Sequence, residues 1–217
     1  MELTTNRLLA LLADEDASSR LSAALAIGSN PDPAMLDALV ERCAVESDFY
    51  VRDMLTWALI RLPSTATVPR LVGELRSERA QARSQALHTL SKIKDSEVYP
   101  EIVPSLVRDL DDEVARSAWR AAVVLVPDAL KLQLAKELSF QLGRGDKSLR
   151  LSLSRALVAL GAEIAEPVLK QAAALGAPDV VAHVEATARL LHDPDSGFEM
   201  DINEARRKFI LGKDGST

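Results

Sequence analysis

At 217 residues with 47% hydrophobic content, the chain is long enough to bury a core and too apolar to be mainly disordered. Aromatic residues make up only 4%, so the interior must be built from Ala, Leu, Ile and Val, which suits closely approaching helices better than a sheet. A formal charge of −6 excludes a broadly basic surface for phosphates or anionic lipid, and the single cysteine, Cys43, excludes an internal disulfide and a multi-cysteine metal site.

Leu8 to Ala13 is apolar but runs straight into Asp14-Glu15-Asp16, with no small-residue cleavage site. No apolar run approaches the ~20 residues of a spanning helix. The sequence therefore predicts a cytoplasmic chain with no membrane contact.

From Arg20 onward the chain repeats itself. An arginine returns at Arg52, Arg83, Arg116 and Arg150, with His183 in the sixth place, at spacings of 31 to 34 residues. Four residues before each mark stand Asp16, Asp48, Arg79, Asp112, Asp146 and Asp179. Three residues after come Ala23, Leu55, Ala86, Trp119, Leu153 and Ala186, and seven after come Ile27, Leu59, Leu90, Val123, Leu157 and Leu190. Such spacings put both columns on one helix face, with the residue before the mark beside them. That face is the predicted buried stripe of a second helix in each unit.

The first helices carry their own pattern, as in Leu36-x-x-Leu39-Val40, Leu71-Val72-x-x-Leu75 and Val103-x-x-Leu106-Val107-x-x-Leu110. Asn30-Pro31, Pro63-Ser64, Pro127-Asp128, Gly161 and Asp193-Pro194 punctuate the chain between units. Asp111, Asp146 and Ser77 stand where second helices need N-caps, and Pro178 suits a first helical position. The units read as about 4–30, 33–62, 66–94, 98–126, 128–161 and 163–192, within a repeat domain of 1–192. The remaining 193–217 is a tail in which Ile202, Ala205 and Phe209 share one face of a short helix, predicted to cap the last unit or to act as an arm.

The pattern Asp-x-x-x-Arg-x-x-(Ala/Leu)-x-x-x-(Ile/Leu/Val), as in Asp48-Phe49-Tyr50-Val51-Arg52 with Leu55 and Leu59, resembles the short HEAT-like repeat of bacterial scaffolds and of the phycobilisome-lyase type. The resemblance covers residues 4 to 192. It implies an all-α fold, a right-handed α-solenoid of about six antiparallel helix pairs. It implies little about function, since HEAT-like families include scaffolds, chromophore lyases, a metal hydroxylase and a DNA glycosylase.

Within the repeat, the aspartate is expected to neutralise free amides at a helix start, and the arginine to pair with it or with the next unit's aspartate. His88, His183 and His192 fall in separate units, and no His-Glu-x-x-His helix occurs, so no metal, no cofactor and no catalytic residue is expected. Stacked pairs expose the ridge of second helices opposite the buried stripe. Along it, Trp57 stands out as an interface anchor, with Ile60 for apolar contact and Arg61, His88 and Arg155 for polar contact. The function read from the sequence is a non-catalytic scaffold or adaptor for a partner protein, monomeric or weakly dimeric through the tail. A DNA-binding or glycosylase-type HEAT protein and a phycobilin-lyase-like chromophore binder stand as alternatives, and the acidic balance argues against nucleic acid.

Overall fold

Three of the repeated aspartates begin helices by capping them. Asp16, Asp48 and Asp146 accept hydrogen bonds at 2.9, 3.0 and 2.8 Å from the backbone N–H of Ser19, Val51 and Leu149, each three residues on. In the fourth repeat the cap is Asp111, which accepts from Glu113 and Val114. The computed structural model describes residues 4–193, and the tail helix expected within 193–217 lies outside them.

Among the described residues the fold is all-α, with no strand. Six first helices alternate with six second helices: α1 (Thr5–Leu12) and α2 (Ala17–Ser29); α3 (Leu36–Cys43) and α4 (Phe49–Arg61); α5 (Ser64–Glu74) and α6 (Ala80–Ile93); α7 (Tyr99–Ile102) and α8 (Asp112–Leu125); α9 (Lys131–Ser139) and α10 (Lys147–Ala159); α11 (Ala162–Leu175) and α12 (Pro178–His192).

The chain divides into two compact units. Of the described residues, those up to Ile102 with Asp109–Leu125 form the first, and Val103–Arg108 with those from Val126 onward form the second. In the first, α2 packs on α4, α4 on α6 and α6 on α8. In the second, α10 packs on α12 and α9 on α11. Second helices thus stack on second helices, because the stripe at positions −1, +3 and +7 from each mark is what they bury. Leu55, Leu59, Leu90, Trp119, Leu153 and Leu157 are all buried. Fully burying one such side chain contributes about 1.5–3 kcal/mol.

Two expectations fail in the fourth repeat. Val123 is only half-buried, and Ala122 and Leu125 take its place in the core. α8, capped by Asp111 rather than by the residue four before the mark, starts one position earlier than α2, α4, α6 and α10 do relative to their marks, while Ala115 and Trp119 keep their places in the core. The helix expected to run from Val103 to Leu110 is also absent: α7 stops at Ile102, and Leu110 is 97% exposed. Pro104 explains the stop, since it offers no N–H and disfavours helical backbone at the residue before it.

Candidate docking groove

Arg20, Arg52 and Arg83 serve the turns rather than the aspartates four residues before them, while Arg150 lies 3.9 Å from Asp179, the next repeat's aspartate. Arg20, Arg52 and Arg83 each donate from Nη1 to the two carbonyls six and five residues upstream: Asp14 and Glu15, Glu46 and Ser47, Ser77 and Glu78. These carbonyls sit in the turn before the second helix, where backbone acceptors have no helical partner. The guanidinium then has Nε and Nη2 left for the next repeat. Arg20 uses them on Glu46 at 2.7 and 2.8 Å, and Arg83 on Asp109 at 2.9 and 3.0 Å. Both are two-pronged charge-assisted pairs across consecutive repeats.

Those two acids belong to a column that sequence reading missed. Asp14, Glu46, Ser77 and Asp109 each accept a hydrogen bond from the backbone N–H two residues on, namely Asp16, Asp48, Arg79 and Asp111. They are equivalent positions in the turns of four repeats. In the third repeat the residue is a serine, so Arg52 finds no acid there. Its Nε and Nη2 have no partner among the described residues.

Glu46 shows what the column does elsewhere. It is fully buried between Arg20 and Arg42, which donates to it at 2.8 Å. Burial alone would raise its carboxyl, but the hydrogen bonds from Arg20, from the Asp48 amide and from Arg42 outweigh this and hold it at about 2.

Second helices of three consecutive repeats enclose a groove of about 290 Å³ in the first unit. Arg52, Asp53 and Thr56 line it from α4, Ser84 and His88 from α6, and Glu113, Ser117 and Arg120 from α8. The Ser84 and Ser117 hydroxyls share a hydrogen bond of 2.8 Å across α6 and α8. His88 is half-buried, and burial, then the charge of Lys92, lowers its pKa below the ordinary imidazole value against an opposing pull from Asp53. Phe49 lines the groove and packs edge to face with Tyr50 at a centroid distance of 5.6 Å; the two are 66% and 71% exposed. The equivalent positions in the first and third repeats hold Ala17 with Ser18 and Ala80 with Gln81. That contrast is the signal by which the sequence could have shown this aromatic pair.

Of the residues singled out from sequence, His88 lies in the groove. Trp57, Ile60 and Arg61 lie farther along α4 and do not line it. Trp57 is half-buried, and its ring covers the backbone of Gly28 on α2, where an added Cβ would come within 2.1 Å of Trp57 Cζ3. The ring fills the gap that Gly28 leaves, so Trp57 packs between the two helices as well as reaching the surface. The Arg61 guanidinium stands 6.0 Å from the ring centroid, and Ile60 is 40% exposed. Arg155 is exposed on α10 of the second unit.

His183, the histidine in the arginine column, is fully buried in the second unit. Its Nδ1 accepts from the Gly143 N–H at 3.0 Å, which leaves the proton on Nε2, 2.9 Å from the Arg150 carbonyl and 3.0 Å from Ser154 Oγ. Ser154 Oγ in turn lies 2.7 Å from Thr187 Oγ1, which donates to the His183 carbonyl. The imidazole thus ties α12 to the preceding repeat, at the turn before α10 and at α10 itself, whereas the guanidiniums of Arg20, Arg52 and Arg83 bind the turns before their own helices. Among the described residues no cluster of His, Cys, Asp and Glu has the makings of a metal site.

Alternating first and second helices, a capped second helix and an arginine tied to its own turn define the class of helical-repeat proteins. Residues 46–123, which contain α4 to α7 and most of α8, match the family model described as HEAT repeats, so this part of the chain is HEAT-like. The match does not reach the narrower phycobilisome-lyase type. No curated protein matches the chain. Among solved structures, a crystal structure of an engineered protein from a structural genomics consortium is similar at 19% identity and a TM-score of 0.45, over 92% of this chain and 96% of that one. No described helix is long and apolar enough to cross a membrane.

Proposed function

We propose that this chain is a non-catalytic docking module of the cytoplasm that holds a partner protein on the face formed by α4, α6 and α8. The observation that carries this reading is the groove itself. It crosses three repeats, mixes Arg52 and Arg120 with Asp53 and Glu113, and includes exposed Phe49, which packs on exposed Tyr50. Mixed charge beside exposed aromatic area is the composition of protein interfaces. A phosphate backbone would meet two carboxylates in the groove, which argues against nucleic acid. HEAT repeats commonly serve protein interaction, which agrees with this assignment. Trp57, Ile60, Arg61 and Arg155 remain candidate contacts outside the groove.

The test is site-specific photocrosslinking in the native cell, with the crosslinker placed at Gln85 in the groove or at exposed Glu41 on α3. One protein captured from Gln85 and not from Glu41, and lost when Arg120 is changed to Glu, is the expected result. Equal capture from both positions, or crosslinks to nucleic acid alone, would overturn the reading.

A further inference from the structure

Arg52 and Thr56, one helical turn apart on α4, both line the groove, and each carries a polar group with no partner among the described residues. The first is the Nε–Nη2 edge of Arg52, left open because Ser77 stands where Glu46 and Asp109 serve the other arginines. The second is the hydroxyl of Thr56. This side chain is 4% exposed and Oγ1 is buried, yet it makes no hydrogen bond among the described residues. The other buried threonines behave differently. Thr67, Thr89 and Thr187 each donate to the carbonyl four residues upstream, at 3.1, 2.9 and 2.8 Å. Thr56 has the same backbone acceptor within its helix and does not use it. A buried hydroxyl without a partner is costly and calls for an explanation.

We propose that this groove is a carboxylate-recognition site, in which an aspartate or glutamate side chain of the partner polypeptide takes the role that an acid at position 77 would have played. The inference rests on the docking reading and names its chemistry. A guanidinium edge binds a carboxylate through two parallel N–H donors, the geometry this protein already uses between Arg20 and Glu46 and between Arg83 and Asp109. Thr56 lies one turn on in the same wall, with its buried hydroxyl unsatisfied among the described residues. Half-buried His88 and the Ser84–Ser117 pair supply further polar contacts to the chain that carries the acid. Asp53 and Glu113 set the limit on charge: a single carboxylate is accommodated between them, and a phosphate dianion or a polyanion is repelled.

The experiment uses the full chain, labelled with nitrogen-15, and N-acetyl-glutamate N-methylamide as probe, with the glutamine analogue and inorganic phosphate as comparisons. The expected result is a saturable shift of the Arg52 Nε–Hε signal and of the Thr56 and His88 amides with the glutamate probe only. Thr56→Val, which keeps the shape of the side chain, is expected to melt at or above the wild-type temperature while binding the probe roughly fivefold more weakly. Ser77→Glu supplies the missing acid from within, so it should raise the melting temperature and abolish probe binding. No saturable shift at Arg52, equal shifts with the glutamine analogue, tighter binding of phosphate, or wild-type binding by Ser77→Glu or Thr56→Val would each overturn the assignment. Any of these failures leaves the docking reading standing, because crosslinking from Gln85 tests it without the probe.

Discussion

The indole of Trp57 on α4 occupies the space that a side chain at Gly28 on α2 would need, with Cζ3 and Cε3 at 2.1 and 2.4 Å from the site of an added Cβ. Gly28→Ala is therefore expected to cost about 1–3 kcal/mol, the usual penalty of overpacking, even though alanine is the better helix former. In a Trp57→Ala background the ring is gone, and Gly28→Ala should become neutral or stabilising by up to ~1 kcal/mol. Chemical denaturation of the four proteins of this double-mutant cycle measures the coupling. Additive effects would show that the two positions do not share a space.

Glu46 gives the first repeats a pH dependence on the acid side. Its carboxyl is held at about 2 against an ordinary value of 4.5, so the folded state releases this proton more readily than the unfolded state. The stability it contributes is present above pH ~4.5 and is lost as pH falls through ~2, and a shift of this size is on the order of 3 kcal/mol. Glu46→Gln should remove that part of the acid limb and lower stability at neutral pH by roughly 3–5 kcal/mol, because Arg20 and Arg42 lose a buried counter-charge. A midpoint for Glu46→Gln within error of wild type at pH 7 would contradict this account of the turn.

The helix pairs were legible in the sequence because burial along a helix is a local, periodic property. The columns at +3 and +7 led to Leu55, Leu59, Leu90, Leu153 and Leu157 directly, and only in α8, where Asp111 shifts the cap, did the column mislead at Val123. The groove was legible only in part. His88 followed from its place on the ridge, but Thr56 looks like any other threonine until its missing hydrogen bond is seen. The column of turn acids was hidden for another reason. It changes type from Asp14 to Glu46 to Ser77 to Asp109 and lies six residues before Arg52 and Arg83 but seven before Arg116, so no fixed spacing reveals it. The contact between Gly28 and Trp57 joins neighbouring repeats, and no pattern within one repeat encodes it.

Cys43 is buried on α3, where the apolar surroundings, and then the charge of Glu46, push its thiol up to about 12. Only the thiolate is nucleophilic, so the folded protein should resist aromatic disulfide reagents at pH 8. Reaction is expected to proceed at the rate of unfolding and to reach one thiol per chain in denaturant. Rapid stoichiometric labelling of the native protein would place Cys43 outside the core.

His183 provides the last prediction, since its neutral form is built into the second unit. Burial lowers its pKa most; the hydrogen bond to the Arg150 carbonyl opposes this, the Arg150 charge assists it, and the ring is left at about 4 against an ordinary 6.5. Between those values the unfolded chain takes up a proton that the folded chain refuses. Stability from this group is therefore complete above pH ~6.5, declines as pH falls, and is spent below ~4, a change on the order of 3 kcal/mol. This window lies above that of Glu46, so the two contributions separate in a stability profile measured from pH 7 to pH 3. His183→Gln should lower stability at pH 7, where Gly143, Arg150 and Ser154 lose their shared partner, and should flatten the profile between pH 6.5 and 4. Proton NMR gives an independent check. The His183 ring signals should stay at neutral-form positions down to pH 5, and a shift to the protonated form at pH 6 would mean that the imidazole is not held in this network.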